Sequence, residues 1–159
     1  MKSSLKIISF EEIYAKAFYQ LNIEWLETFF YVEIFDKEVL SNPNKHIIKK
    51  GGHIFFLLEN TKVIGTVALM KKKERVYELT KMAIIPEKRG NKMGQYLLEY
   101  CIDFAKNKKL NKLILYSNTL LKNAIHIYIK KGFKEITVEK NCPYKRSNIK
   151  MELLLIDKN

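Results

Sequence analysis

The sequence predicts a protein of the α/β (α+β) class, with a mixed central sheet of about seven strands flanked by helices. Apolar segments of strand-like composition alternate with segments whose apolar residues recur every three or four positions. Short turns join the strands of the first half, which predicts antiparallel pairing. A helix separates the last of these strands from the next one, which predicts a parallel pair.

The first third of the chain is predicted to be mostly helical. Residues 5–10 form a short strand, and Ser9 opens a capping-box pattern for a helix that ends near Leu21. Residues 22–50 form one or two irregular helices rich in aromatic side chains, with Asp36 capping a short helix. Helical spacing favours a place in the core for most of these aromatic side chains, and the wall of an amine-binding pocket is the alternative.

Three strands follow in an antiparallel meander, at residues 53–59, 63–70 and 76–85. The first of them is almost continuously apolar, which predicts burial on both faces. The third ends at Pro86, which has no N–H group to donate to the sheet.

Helices and strands alternate in the second half, before two final strands. These elements are predicted at residues 93–107, 112–117, 121–131, 133–138 and 148–156. Gly132 is predicted to be the C′ residue that ends the second of these helices.

A cationic glycine loop joins the third strand of the meander to the helix that follows it. Gly90 and Gly94 leave the backbone amides open, and Lys88, Arg89 and Lys92 add positive charge. The first N–H groups of a helix lack partners inside the helix and lie at the positive end of its dipole, so an anionic phosphate fits there. An ordinary strand-to-helix turn with solvated lysines is the alternative.

The loop lacks the Gly-x-x-x-x-Gly-Lys-Ser/Thr and Gly-x-Gly-x-x-Gly patterns of two other phosphate binders. It resembles the acyl-CoA pyrophosphate loop of the GNAT superfamily of N-acetyltransferases, Gln/Arg-x-x-Gly-x-Gly/Ala. Arg89, Gly90 and Gly94 match this pattern, whereas Lys92 stands where the family usually has its middle glycine. We expect Lys92 to lie in the first helical turn with a negative φ, where lysine fits and its ammonium can meet a phosphate.

A second motif extends the resemblance over essentially the whole chain. Residues 118–133 are similar to the superfamily signature Asn-x(4)-Asn-x-x-Ala-x-x-x-Tyr-x-x-x-Gly-Phe, with Ala124, Tyr128, Gly132 and Phe133 in register. The predicted order of strands and helices is also that of the GNAT fold.

The resemblance implies acetyl-CoA as the cofactor and assigns roles by position. Backbone groups of three residues would meet the pantetheine arm and the thioester: Met82, Ala83 and Ile84. The loop would hold the pyrophosphate: Arg89, Gly90, Asn91, Lys92, Met93 and Gly94. Asn118 and Asn123 would contact the CoA arm, and Tyr128 would stand beside the sulfur as the acid for the departing thiolate.

The acceptor would enter between the helical segment after the first helix and the loop joining the last two strands. Glu33 lies in the former and could orient or deprotonate an amine, while Tyr144 and Arg146 lie in the latter, where Arg146 could pair with a substrate carboxylate. Glu78, a few residues before the thioester contacts, is the rival base. A small amine or amino-acid-like acceptor is expected, and a carboxylate-bearing amine should outcompete a polyamine.

The resemblance implies an N-acetyltransferase that moves the acetyl group directly to a primary amine in a ternary complex, and the residue types suit that chemistry. A non-catalytic module on the same fold that binds CoA, or nucleic acid or another anion, is the alternative.

Composition and charge limit the number of domains, the cellular location and the partners that the protein can have. A chain of 159 residues with 47% hydrophobic residues suits a single domain spanning residues 1–159. Polar residues 1–4 and the lack of a membrane-length apolar run predict a cytoplasmic protein with no membrane partner. Cys101 and Cys142 suit a reducing compartment, and the three histidines lack metal-ligand spacing, so no metal is predicted. The net charge of +12 would attract anions, but the lysines fall at element ends, so nucleic acid is not expected. The sequence leaves open whether the protein forms a homodimer.

Overall fold

The computed structural model describes residues 4–156. Its strands are β1 (Leu5–Ser9), β2 (His53–Glu59), β3 (Lys62–Lys73), β4 (Val76–Ile84), β5 (Lys112–Ser117), β6 (Lys134–Ile136) and β7 (Ile149–Leu154). Its α-helices are α1 (Ala15–Phe29), α2 (Ile34–Ser41), α3 (Met93–Asn107) and α4 (Lys122–Lys130). The strands form one seven-stranded sheet in the order β1-β2-β3-β4-β5-β7-β6. The first three residues of the polar start lie outside the described residues.

Strand pairing confirms the predicted mixed sheet. The pairs are antiparallel except for β4 and β5, which are parallel. The parallel pairing runs from Val76 opposite Lys112 to Glu78 opposite Ile114. Beyond Glu78 the two strands separate, because β4 continues along β3 while β5 continues along β7.

Two apolar cores cover the two faces of the sheet. Phe55 and Leu57 of β2 join the core that α3 covers, whereas the alternate residues Phe56 and Leu58 join the core under α1 and α2. This confirms that β2 is buried on both faces. The buried side of α3 has the predicted helical spacing: Leu97, Leu98, Cys101, Ile102 and Ala105.

The predicted limits of the first helix are wrong. Ser9 is the last residue of β1, a 3-10 turn at Glu12–Tyr14 follows, and α1 continues to Phe29 instead of ending near Leu21. The reason is a buried stripe with four-residue spacing that crosses the predicted end: Phe18, Asn22 and Leu26. Burial of this stripe outweighs the missing cap.

Asp36 caps the short helix α2 as predicted, but from its first turn and not as the N-cap residue. Glu33 is the N-cap residue of α2, and Asp36, in its first turn, accepts a hydrogen bond of 3.0 Å from the backbone N–H of Glu33. The helix ends before Asn42 and Pro43, and a π-helical turn follows at Asn44–Ile48.

The strand predicted at residues 133–138 is shorter than expected. Phe133 is buried, and its backbone N–H bonds to the carbonyl of Tyr128 at 3.0 Å, so it closes α4 instead of opening the strand. Gly132 has a φ of +103°, which confirms it as the C′ residue. Within residues 4–156, no helix has the length and apolar character that a membrane crossing requires.

Candidate active site

A cleft of about 550 Å³ opens where β4 and β5 separate. Its walls come from α1, β4, the start of α3, β5, α4 and the loop between β6 and β7. Most of the site residues predicted from the sequence line it: Met82, Ala83, Ile84, Arg89, Gly90, Lys92, Met93, Gly94, Asn118, Asn123, Tyr128, Tyr144 and Arg146. Asn91, Glu33 and Glu78 do not line it. The structure thus places most of the predicted cofactor-binding residues, and two of the predicted acceptor-binding residues, around one opening. The ligands of these residues stay predictions.

The loop before α3 needs two residues in the left-handed region. Gly90 has a φ of +81°, and Lys92 is the N-cap residue of α3 with a φ of +63°. The predicted negative φ of Lys92 is therefore wrong. The chain leaves β4 through a 3-10 turn at Pro86–Lys88 and must reverse before the helix, and a left-handed N-cap makes that reversal. Lysine is strained there, whereas glycine is not.

The N-terminus of α3 faces the cleft, and its first amides have no partner inside the helix. Tyr96 is the first residue whose N–H bonds back into the helix, to the carbonyl of Lys92 at 3.1 Å. A Cβ atom on Gly94 would meet the sulfur of Met82 at 3.6 Å, an ordinary contact. Packing within the chain therefore does not explain why residue 94 is glycine.

Arg89 is held from the side of α1. Its guanidinium pairs with the carboxylate of Glu24 and lies 5.1 Å from the ring centre of Phe29. Burial alone would raise the pKa of Glu24, but hydrogen bonds from Arg89 and Thr28 and the charge of Arg89 bring it below its ordinary value. The Nε atom of Arg89 is buried and has no hydrogen-bond partner among residues 4–156. One donor of this side chain is thus unsatisfied within the described chain.

Asn118 stabilises the other rim of the cleft. Its side-chain nitrogen donates to the carbonyl of Arg146 at 2.8 Å, and its side-chain oxygen accepts from the N–H of Leu120 at 2.8 Å. The first of these bonds ties the end of β5 to the loop between β6 and β7, and the second is local. Asn123, at the start of α4, is exposed.

A bulge in β4 lies beside the opening. Thr66 pairs with Ala83 and Ala68 pairs with Thr80, so two residues of β4, Lys81 and Met82, lie opposite one residue of β3. Lys81 has a φ of +55°. A bulge of this kind changes the direction of the backbone that follows it, here where β4 has lost β5 as its neighbour.

Lys81 extends from the bulge into a buried ionic cluster. Its ammonium lies 3.1 Å from Asp36 Oδ1, 4.7 Å from the ring centre of Tyr144 and 5.6 Å from that of Phe35. Asp36 is fully buried and also accepts from Arg146, at 2.5 Å from Nη1 and 3.0 Å from Nη2. Burial lowers the pKa of Lys81, and the nearby carboxylate of Asp36 partly offsets this.

The acceptor-side pair predicted from the sequence is engaged within the protein. Glu33 accepts from Arg146 Nη1 at 2.8 Å and from the backbone N–H of Lys145 at 2.8 Å. The bidentate pairing suggested for a substrate carboxylate is made by Arg146 with Asp36 instead. A substrate carboxylate would have to compete with both protein carboxylates.

Glu78 does not line the cleft but is hydrogen-bonded to Tyr144, which does. It is 1% exposed, and its Oε2 accepts from the hydroxyl of Tyr144 at 2.7 Å. The hydroxyls of Tyr144 and Thr80 lie 3.3 Å apart, and the ammonium of Lys72 lies 3.6 Å from Glu78 Oε1. Burial and the charge of Glu78 raise the pKa of Tyr144 well above its ordinary value. A proton can therefore pass from the cleft to Glu78 along one hydroxyl.

A model of the Acetyltransferase (GNAT) family matches residues 9–133. The chain belongs to the GNAT acetyltransferase family. The match includes the cationic loop and the tyrosine motif, and it confirms the resemblance seen in the sequence.

Solved structures share this GNAT fold over almost the whole chain. One is a GNAT-family acetyltransferase from Staphylococcus aureus Mu50, with 20% identity, TM-score 0.84, and coverage of 96% of this chain and 100% of that one. A second is an acetyltransferase from Streptococcus agalactiae 2603, with 24% identity, TM-score 0.80 and coverage of 95% and 98%. A third is spermidine N-acetyltransferase from Vibrio cholerae in complex with CoA and spermine, with 22% identity, TM-score 0.71 and coverage of 95% and 95%. No sequence among curated proteins matches.

Tyr128 lies on α4, the helix of the second GNAT motif, and lines the cleft. Its ring centre is 5.7 Å from that of Phe133. Burial raises the pKa of Tyr128 to about 12, so the phenol keeps its proton at neutral pH. Against a thiol of pKa about 8.5, a full proton transfer from this phenol is uphill by about 5 kcal/mol. Tyr128 is thus better suited to share a hydrogen bond with a developing thiolate than to release its proton early.

The charges around this GNAT cleft are arranged asymmetrically. Among the described residues, no Asp or Glu lines it, whereas several cations do: Lys81, Lys88, Arg89, Lys92 and Arg146. The acids Glu33, Asp36 and Glu78 lie behind this lining. The cleft therefore has a cationic lining, but four of its five cations pair with carboxylates that do not line it. Among residues 4–156, no group of three His, Cys, Asp or Glu side chains could hold a metal ion.

Sequence reasoning missed several residues of this site. Lys81 carried a usable signal, because a lysine inside a buried strand needs a buried partner. Asp36 and Glu24 carried none, since they lie 45 and 65 residues from their partners Lys81 and Arg89. The aromatic side chains of α1 divide: Trp25 packs against the core and lines the cleft, whereas Phe29 is 45% exposed.

Proposed function

We propose that this GNAT protein transfers an acetyl group from acetyl-CoA to a primary amine by direct attack in a ternary complex. The observation that carries the proposal is the continuous cleft, which runs from the cationic N-terminus of α3 to two phenols, the partly buried Tyr128 and the buried Tyr144. Anion binding at one end and hydroxyl groups at the other are what this reaction needs.

The loop and helix N-terminus would hold the pyrophosphate of CoA. The amides of Met93, Gly94 and Gln95 precede the first bonded N–H of α3, and the buried Nε of Arg89 lacks a partner within the described chain. Lys92 adds charge at the same point. Gly94 fits this role because nothing else in its surroundings requires the absence of a side chain.

The free edge of β4 would hold the pantetheine arm. Within residues 4–156, β4 has no paired strand on the β5 side after Glu78, so the backbone groups of Met82, Ala83 and Ile84 can pair with an extended ligand as another strand would. The bulge at Lys81 directs this part of the backbone. Asn118 would act here mainly by holding the rim.

The chain supplies acid, base and polarising groups around the acyl group. Acetyl-CoA, when bound, supplies a thioester whose C–S bond breaks as the new N–C bond forms. Backbone N–H groups on the free edge of β4 polarise the carbonyl oxygen. Tyr128 donates a hydrogen bond, and finally a proton, to the leaving sulfur.

The acceptor amine must lose a proton. The cationic lining favours its neutral form by lowering its pKa. The hydroxyl of Tyr144 takes the remaining proton from the attacking nitrogen while it gives its own to Glu78. In this arrangement Glu78 is the base, and Glu33 and Arg146 act by holding the loop between β6 and β7.

The test is acetyl transfer by the purified protein to a panel of primary amines. Thiol release and the mass of the product are followed, and Tyr144→Phe is the matched variant. We expect amine-dependent thiol release in the unmodified protein, and a loss of turnover without loss of CoA affinity in Tyr144→Phe. Stabilisation by a DNA duplex but not by CoA, with no release from any amine, would favour the anion-binding alternative.

A further inference from the structure

The ammonium of Lys81 fills a site that suits a ligand ammonium. A carboxylate, Asp36, lies at 3.1 Å, and the rings of Tyr144 and Phe35 lie at 4.7 and 5.6 Å. A carboxylate combined with aromatic faces is how proteins recognise alkylammonium ions. Lys81 lines the cleft and directly precedes Met82 in β4. The protein's own cation thus occupies a cation site beside the proposed thioester contacts.

The acids of this region are already paired. Asp36 accepts from both Lys81 and Arg146, and Glu33 accepts from Arg146. Glu78 is covered by Tyr144 and has Lys72 beside its other oxygen. A second ammonium on an acceptor would meet the cations of the lining before it met any acid.

We propose that Lys81 is a specificity-determining residue, which makes the cleft select acceptors with one amine over diamines and polyamines. This inference rests on the proposed acetyl transfer. The ammonium of Lys81 and a second ammonium about 6 Å from it, at an effective dielectric constant of about 20, would disfavour the dication by about a hundredfold. The carboxylate of Asp36, 3.1 Å from Lys81, offsets part of this repulsion, so a preference of about tenfold is expected. The structure of the V. cholerae enzyme contains spermine, but at 22% identity its likeness to this chain shows only a shared fold and not a shared ligand.

The test compares butylamine with 1,4-diaminobutane, which have the same four-carbon chain. Both are measured as acceptors and as competitors of the best amine of the panel, so neither has to be acetylated. The unmodified protein should prefer butylamine by tenfold or more. Lys81→Ala removes the resident ammonium and leaves room beside Asp36, so the ratio of diamine to monoamine should rise at least tenfold.

Two further variants separate charge from space. Lys81→Met removes the charge but keeps most of the volume, and it should raise the ratio less than Lys81→Ala. Lys81→Arg keeps a cation and should leave the ratio unchanged. Circular dichroism and thermal melting establish that each variant is folded.

Equal use of the two amines by the unmodified protein would overturn the inference, and that comparison needs no variant. An unchanged ratio in a folded Lys81→Ala would overturn it as well. Failure of the unmodified protein to acetylate any amine would contradict the proposed function instead.

Discussion

Replacement of Gly94 by alanine should stabilise the protein and weaken CoA binding. Gly94 lies in the first turn of α3, and its φ is not in the left-handed region. A Cβ atom there would meet only the sulfur of Met82, at 3.6 Å, so the folded chain accepts it without a shift.

The two effects have opposite signs, and their sizes follow from the surroundings of Gly94. Alanine in place of a helical glycine contributes about 0.5 to 1 kcal/mol, which for a protein of this size is about 1 to 4 °C in Tm. The new methyl group would stand in front of the amides that are proposed to hold the pyrophosphate. A loss of at least tenfold in CoA affinity, about 1.4 kcal/mol, is expected.

Differential scanning calorimetry and calorimetric titration of CoA measure the two effects on the same sample. Gly90→Ala is the matched control, because Gly90 has open space around it but a φ of +81°. Alanine there should lower the free energy of unfolding by about 1 kcal/mol through backbone strain alone, and the Tm falls with it. A stabilised Gly94→Ala protein with unchanged CoA affinity would refute the placement of the pyrophosphate at this helix N-terminus.

Three further outcomes are expected. Lys92→Gly should raise the free energy of unfolding by about 1 kcal/mol in denaturant titrations, since it relieves a left-handed lysine, while CoA affinity falls with the lost charge; no gain in stability would contradict the strain. Tyr128→Phe should lower kcat by about ten- to a thousandfold with acetyl-CoA affinity unchanged. In the unmodified protein the pKa of Tyr128 is about 12, so deprotonation of this phenol should not lower activity until the pH approaches that value. Asp36→Asn should destabilise the protein at pH 7 by about 3 to 5 kcal/mol. Burial alone would raise the pKa of Asp36, but Arg146 and Lys81 hold this pKa below 3.8. The difference in the free energy of unfolding between Asp36→Asn and the unmodified protein should therefore shrink as the pH falls below 3.8. A difference that does not depend on pH would contradict the pairing.

The sequence was sufficient for features that depend on local pattern. The local pattern of apolar residues and the position of Gly132 were enough to predict three features: the buried strand β2, the end of α4 and the buried stripe of α3. The parallel pairing of β4 and β5 followed from the helical connection between them, since such crossovers join parallel strands.

Features that depend on distant contacts were not predictable in the same way. The end of α1 is set by a core to which β2 and β3 contribute, and not by a local cap. The positive φ of Lys92 depends on how the chain turns between β4 and α3. The pairing of Lys81 with Asp36 joins β4 to α2, and no sequence pattern marks Asp36 as its partner.

The most direct measurement of the central claim is a calorimetric titration of CoA into the unmodified protein and Arg89→Gln. Glutamine removes the charge without placing a second carboxylate against Glu24. Lys134→Gln, on the exposed β6, removes the same charge away from the cleft and serves as the control. Loss of one charge-assisted bond to a phosphate should weaken CoA binding by about ten- to a hundredfold in Arg89→Gln and leave Lys134→Gln unchanged. Equal CoA affinity in all three proteins would contradict the assignment of the cleft as a CoA site.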